Sequence, residues 1–313
     1  MTPTLVSKMS LSIQKTSIFL MAMLLSHGCS VPSLNSSVPS NEVTDNPAEN
    51  DSQTLTQLKI AILPTVNSEE QQQRIQRFDK YLEQRLGISV DIQLTPSYAE
   101  TVDLLVEEKV QMAYLGPLTY IEAKERNPNL EPIVAHIEKQ TGRPWYNSVI
   151  VVKADSGIDT SEDLVGVRFG FVSPSSTSGF LMPISHFQEI GINPPEDFTE
   201  IEYAGGHDKN INALIEGKVD AIAIEYPTYL EYQFLKKITS NQYKIIWKSD
   251  PIPHAPLVIS SQLPPDLKIE LKKALIDAPE GLVGISGIES SGYTLVSDQD
   301  YEPIRIIQKR LQS

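Results

Sequence analysis

From residue 58 onward, apolar positions follow two alternating rhythms. Leu58-Lys59-Ile60-Ala61-Ile62-Leu63 is a short apolar run ending at Pro64, which predicts a strand. Ser68, with Gln71 three residues on, has the form of a capping box and opens a helix. Ile75, Phe78, Leu82 and Leu86 keep helical spacing up to the stop at Gly87. Residues 88–94 then alternate, with Ile88, Val90, Ile92 and Leu94 on one face of a half-buried strand. Tyr98, Val102 and Leu105 place the next helix, and residues 111–115 the next strand. Further strands are predicted at 131–137, 148–152, 167–172, 197–203, 219–224 and 243–247, with helices fitting between most of them. This alternation predicts an α/β fold with largely parallel sheets and no internal repeat. In open parallel sheets ligands bind beyond the carboxyl ends of the strands. The loops to search are therefore 64–68, 95–98, 114–117, 173–179, 205–208 and 225–229.

The first 54 residues break this pattern. Lys8 and Lys15 precede an apolar stretch, Thr16–Leu25, that is too short to span a bilayer, which needs about 20 residues. Basic flank, short apolar core and small residues predict a secretory signal over residues 1–28. The ending Leu25-Ser26-His27-Gly28-Cys29 resembles a bacterial lipobox, which makes Cys29 a candidate lipidation site. Ser26 stands where a large apolar residue is usual. The open alternative is an ordinary signal peptide with an incidental thiol at Cys29. Residues 29–54 are rich in Ser, Asn and Pro and carry acids but no Lys or Arg. They predict a flexible tether.

The 313 residues carry 40 Asp+Glu against 26 Lys+Arg, a net charge of −14. Residues 55–313 hold 36 acids and 24 bases. This balance argues against a general nucleic-acid binder. It leaves a small anionic ligand open, because local dipoles in a pocket can oppose the net charge. One Cys excludes an intrachain disulfide, and no two of the five His stand at zinc-ligand spacing. The sequence lacks G-x-S-x-G, H-E-x-x-H, G-x-G-x-x-G and a Cys/His pair. No catalytic residue, metal site or cofactor is assigned.

Three loops carry candidate chemistry. Ser173-Pro174-Ser175-Ser176-Thr177-Ser178-Gly179 joins a strand to a helix. A helix start offers unpaired N–H groups, and the adjacent hydroxyls of Ser176, Thr177 and Ser178 add donors, a cradle for an oxyanion. The same residues could serve only as helix caps. In Ala204-Gly205-Gly206-His207-Asp208, paired glycines allow close backbone approach and His207 could donate to an anion; the alternative is a surface turn. Tyr98 and Tyr114 stand at strand–helix junctions, either directed into a cleft or packed in the core. Glu225 ends an apolar strand, where it caps a helix or meets a protonated ligand group. His136, His186 and His254 form no constellation and read as structural.

Taken in order, SYAETVDLL, MAYLGPLTYIEA, WYNSVIVVKADSGI, EDLVGVRFGFVSPSSTSGFLMP, YAGGHDKNINALIEGKVDA and DQDYEPIRII resemble the periplasmic phosphate/phosphite/phosphonate-binding proteins of ABC importers. The resemblance covers most of residues 58–311. It implies a two-lobed type II periplasmic-binding fold, with a two-strand hinge and one ligand in the cleft. The boundaries expected are 55–155 with 250–313 for lobe 1, and 156–249 for lobe 2. It implies that Ser176, Thr177 and Ser178 hold phosphorus-bound oxygens, that His207 and Tyr98 add donors, and that Tyr114 lines the cleft. Glu225 lies near the place where aminophosphonate-binding members hold the ligand amine. The sequence departs from the pattern at His254-Ala255, where a more polar turn is usual. The expected partners are a small phosphorus oxyanion and the membrane subunits of an ABC importer, with membrane contact by lipid anchor only, no nucleic acid, and a monomeric protein. A sensor of the same fold and a binder of another small oxyanion remain alternatives.

Overall fold

The computed structural model describes residues 55–312 except 67, 68, 140, 283 and 287–289. Ser68, the expected capping residue, and the signal, tether and Cys29 lie outside the described residues. The chain begins with β1 (Gln57–Ile62), α1 (Glu69–Leu86), β2 (Ser89–Leu94), α2 (Tyr98–Val106), β3 (Met112–Tyr114), α3 (Pro117–Arg126) and β4 (Glu131–Glu138). It crosses through β5 (Trp145–Tyr146) into β6 (Ser148–Lys153) and β7 (Arg168–Phe171). A π-turn, Thr177–Leu181, leads into α4 (Met182–Ile190), followed by one turn, α5 (Pro194–Asp197), and β8 (Glu200–Tyr203). Then come α6 (His207–Ile215), β9 (Ala221–Glu225), α7 (Tyr226–Phe234) and β10 (Tyr243–Lys248). The return passes through β11 (Ile252–Pro253) to β12 (Pro256–Ile259), α8 (Pro265–Ile276), β13 (Ser290–Leu295) and α9 (Glu302–Gln312).

Two sheets result, in the orders β13-β4-β12-β3-β1-β2 and β10-β6-β9-β7-β8, with β5 and β11 paired antiparallel in a two-stranded ribbon between them. The two-lobed α/β class stands, but the sheets are mixed rather than largely parallel. Parallel pairing is confined to β3-β1-β2 and β9-β7-β8. The physical reason is the double crossing. Having returned through the ribbon, the chain enters the first sheet in the opposite sense, so β12 runs antiparallel to both β3 and β4. The expected boundary at 155 also moves. Because β6 pairs with β9 and β10, residues 148–153 belong to the second sheet, and the sheets divide the chain at Tyr146–Asn147.

Local signals explain most elements. In α1, Ile75, Phe78 and Leu82 are buried against the first sheet, and Gly87 ends the helix with φ +69°, a conformation that favours glycine. The side-chain amide of Gln71 donates to Ile285 O at 2.9 Å, so it is engaged in a tertiary contact. β9, AIAIE, is buried throughout, as a central strand covered on both faces should be. The strand expected at 197–203 is shorter, Glu200–Tyr203, because Pro194 and Pro195 start a helical turn instead. Phe198, freed from the strand, stacks on Phe169 at 4.9 Å and meets Phe187 edge-on at 5.4 Å. These rings anchor the core of the second lobe, each contributing about 1.5–3 kcal/mol by burial.

Candidate functional site

The carboxyl ends of β1, β3, β7 and β9 converge on one cavity of about 20 Å³. Tyr98, Tyr114, Ser176, Thr177, Ser178, His207 and Glu225, the seven residues singled out from the sequence, all line it. All seven are buried. A sphere of that volume, widened by a water radius of about 1.4 Å, has a radius of about 3 Å, room for one compact tetrahedral group. No lysine or arginine is among its lining residues.

The Ser176–Ser178 loop is built by its neighbours. β7 ends at Phe171, and Ser176 caps the following turn, accepting from Gly179 N–H at 3.0 Å. The turn opens as a π-turn, with Leu181 N–H donating to Ser176 O. Gly179 is required there: a Cβ would lie 2.4 Å from Val172 Cγ2. The N–H groups of Thr177 and Ser178 belong to the first turn of this helix, where intrahelical carbonyl partners are lacking. Ser178 O accepts from the Ser148 hydroxyl at 2.6 Å, which pins the loop to β6. Thr177 Oγ1 accepts from Leu118 N–H, at the start of α3, at 2.8 Å. With that lone pair engaged across the cleft, the Thr177 hydroxyl proton is available to the cavity.

His207 opens α6, and its N–H donates to Thr65 O in the first lobe at 2.8 Å. Gly206 permits this approach: a Cβ there would stand 3.1 Å from Pro64 O. The ring Nδ1 accepts from Glu225 N–H at 3.1 Å. Burial pushes the imidazole down to about 3, so the ring is neutral. A neutral ring whose Nδ1 accepts carries its proton on Nε2. His207 thus offers an Nε2–H donor.

Glu225 ends β9 and precedes α7. Burial pushes its carboxyl up to about 7, against the opposing hydrogen bond that Thr228 Oγ1 donates to Oε1 at 2.8 Å. Near neutral pH this carboxyl both holds and releases a proton. Burial, followed by the nearby Glu225, raises the hydroxyls of Tyr98, Tyr114 and Tyr146 well above the usual tyrosine value. All three remain neutral hydrogen-bond donors.

Tyr146, Thr65, Gly116 and His254 also line the cavity, and sequence reasoning assigned them no place in it. Tyr146 lies in the ribbon, in a strand of two residues, too short to leave a periodic signal. The reading of the three remaining histidines needs correction. His186 is structural: it hydrogen-bonds to Ser161 Oγ at 2.9 Å and stacks on Trp247 at 4.4 Å. His136 and His254, however, form a pair, with ring centroids 3.5 Å apart. Their distance in sequence concealed it. Among the described residues, no group of three or more His, Cys, Asp or Glu is placed to hold a metal ion.

The chemistry of this arrangement is binding: neutral donors from both lobes and one titrating carboxyl surround a space for a small tetrahedral anion. The family described as periplasmic substrate-binding proteins of ABC phosphonate transporters matches residues 60–301. A phosphate-import protein, PhnD, of Mycolicibacterium smegmatis is 28% identical over 79% of this chain and 84% of its own length. The phosphonates-binding periplasmic protein of Escherichia coli is 27% identical over 79% of this chain and 75% of its own. Among solved structures, a binding-protein component of a phosphonate ABC transporter from Pseudomonas aeruginosa superposes with a TM-score of 0.73 at 25% identity. It covers 80% of this chain and 85% of its own. PhnD1 of Prochlorococcus marinus, in complex with methylphosphonate, gives 0.74 at 19% identity, covering 82% and 98%. The chain is a substrate-binding transport protein, not an enzyme, and belongs to the family of periplasmic phosphonate-binding proteins of ABC transporters.

Proposed function

We propose that this protein captures a compact phosphorus oxyanion (phosphate, phosphite or methylphosphonate) by cleft closure and delivers it to the membrane subunits of an ABC importer. The observation that carries this reading is the ring of neutral donors, drawn from both lobes, around a cavity of about 20 Å³. Thr177, Ser178 and the helix start take the oxygens from the second lobe, joined by His207 Nε2–H. Tyr98 and Tyr114 donate from the first. Hydrogen bonds of this kind to a charged group are each worth about 1.5–3 kcal/mol. Because the donors come from both sides, closed protein binds better than open protein, and that difference drives closure about the two-stranded ribbon. Glu225 shares one proton with the oxyanion, either donating as a carboxylic acid or accepting from P–OH. The small volume of the cavity, about 20 Å³, favours a phosphorus group with a compact substituent.

The same reading places the protein outside the cytoplasm as a monomer, held by a lipid on Cys29 after removal of residues 1–28. Its test is calorimetric titration of the ligand-free protein with phosphate, phosphite, methylphosphonate and 2-aminoethylphosphonate, with sulfate and nitrate as controls. Tight binding of one of the first three is expected. No binding of any phosphorus oxyanion by folded protein would remove the reading. Preference for 2-aminoethylphosphonate would assign Glu225 to the ligand amine instead.

A further inference from the structure

The C-terminal helix reaches from one lobe to the other. Its first half belongs to the first lobe. Tyr301, just before α9, packs edge-on against Tyr120 of α3 at 5.0 Å, and Arg305 binds Asp298, the acceptor of the Tyr120 hydroxyl, at 2.8 Å. Ile304 is buried beside them. The last turn of α9 lies on α4 of the second lobe. There Arg310 Nη2 donates to Ser185 Oγ and to Glu189 Oε1, the latter at 2.9 Å. Ser185 is buried, and Leu311 joins Ile184 and Gln188 in lining a groove beside the contact. α9 thus joins the lobes independently of the ribbon.

α4 is also the helix that carries the Ser176–Ser178 loop. It continues directly from the π-turn Thr177–Leu181, which α9 touches as well. At about 1.5 Å per residue, Glu189 stands about 15 Å along from Ser178, too far for Arg310 to meet an anion in the cavity. Arg310 acts instead on where α4 and its helix start stand relative to Tyr98 and Tyr114. The cleft is closed in this structure, with His207 N–H on Thr65 O and Leu118 N–H on Thr177 Oγ1 across it. Opening about the ribbon carries α4 away from α9, and Arg310 then loses Ser185 and Glu189. A bond made only in the closed form raises the closed population, and with it the apparent affinity.

We propose that Arg310 is a positioning residue for ligand binding, clasping α4 to the first lobe when the cleft closes. Its effect on affinity rests on the phosphorus-oxyanion reading; its effect on lobe closure does not. The Arg310 and Glu189 side chains are 50% and 56% exposed, so solvent screens the ion pair and the clasp changes affinity by a modest factor. The buried Ser185 hydroxyl gives the contact its direction.

The test compares wild type, Arg310→Glu and the charge swap Arg310→Glu with Glu189→Arg, by calorimetry against phosphate, phosphite and methylphosphonate. In parallel, pulsed electron resonance measures the distance between the lobes in ligand-free protein, with spin labels on Asn129→Cys and Asp155→Cys, both exposed, and Cys29→Ser removing the one native thiol. Arg310→Glu sets like charges against each other; the swap restores an ion pair of opposite sense. The expected result is about 5- to 20-fold weaker binding and a smaller closed population for Arg310→Glu, with the swap back within about threefold of wild type in affinity. Affinity of Arg310→Glu within about twofold of wild type, a swap as weak as the single variant, or lobe distances the same in all three proteins would overturn the inference. If Arg310→Glu fails to fold, Arg310→Ala replaces it, with about two- to fivefold weaker binding expected and wild-type affinity overturning the inference. Wild type that binds no phosphorus oxyanion overturns the functional reading, and the ligand-free lobe distances then decide this one alone.

Discussion

Replacing Glu225 with Gln should remove the pH dependence of ligand binding above neutrality. The carboxyl is buried and accepts from Thr228 Oγ1 at Oε1, while the backbone N–H of Glu225 donates to His207 Nδ1. Burial moves its pKa from 4.5 to about 7. Above that pH a dianionic ligand meets a carboxylate at hydrogen-bonding range. Two unit charges about 4 Å apart at an effective dielectric of about 20 repel by about 4 kcal/mol, roughly a thousandfold in affinity. Taking up one proton on binding relieves this. Wild-type affinity should therefore fall about tenfold per pH unit above about pH 7.5, with close to one proton taken up per ligand. The Gln variant keeps the Thr228 contact and offers an N–H donor, so its affinity should stay nearly level between pH 7.5 and 9. The assay is calorimetry at several pH values in buffers of different ionisation enthalpy. The ligand-free protein supplies an independent check on sign. A folded pKa above the unfolded one means the folded chain keeps a proton the unfolded chain has lost. The burden on stability then grows as pH rises from 4.5 towards 7 and levels off above it. The Gln variant should gain on wild type over that window, by up to about 3 kcal/mol in urea denaturation. Parallel binding profiles for the two proteins would refute the proton-sharing argument.

Thr177→Ala combined with His207→Ala removes one donor from the helix start and one from α6. Affinity should drop at least about a hundredfold, and stability should fall as well, because the buried N–H groups of Leu118 and Glu225 lose their acceptors at about 1–3 kcal/mol each, as calorimetry and thermal melting can show. Gly179→Ala forces a Cβ to 2.4 Å from Val172 Cγ2, so it should weaken both ligand binding and stability, the latter by about 1–3 kcal/mol in urea denaturation. Phe169→Ala empties the centre of the phenylalanine cluster. It should cost about 3–5 kcal/mol of stability while folded protein retains its ligand preference, read by denaturation and competition binding.

Much of this organisation is legible in the sequence because it rests on local signals. The helical spacing of Ile75, Phe78 and Leu82 and the strand-to-helix position of Ser176–Ser178 are carried by neighbouring residues. Glu225 is found because a carboxylate at the end of a wholly apolar strand is chemically conspicuous. The unread parts depend on pairing across the chain. β12 is a four-residue apolar run that begins at Pro256, and its place between β3 and β4 follows only from the return crossing. Sheet direction has the same origin. His136 and His254 show no motif, because β4 and the ribbon come together only through tertiary structure.

An acidic protein proposed to hold an anion, with no lysine or arginine among the described residues that line the cavity, raises an electrostatic question, and the geometry answers it. The 36 acids and 24 bases of residues 55–313 set the far field. At the cavity, helix starts prevail locally. α3 begins at Pro117 and donates Leu118 N–H to Thr177, and the π-turn into α4 begins at Thr177 itself, so two positive helix ends meet at one hydroxyl. α6 adds a third start at His207, anchored to Thr65 O of the opposite lobe. A buried lysine would bring its own desolvation penalty and would attract any anion of suitable size. Neutral dipoles fixed by backbone geometry need no such compensation, and they favour an anion whose oxygens match their directions. On the proposed reading, selectivity resides in the placement of N–H and O–H groups and in one shared proton on Glu225, while net charge contributes little to it.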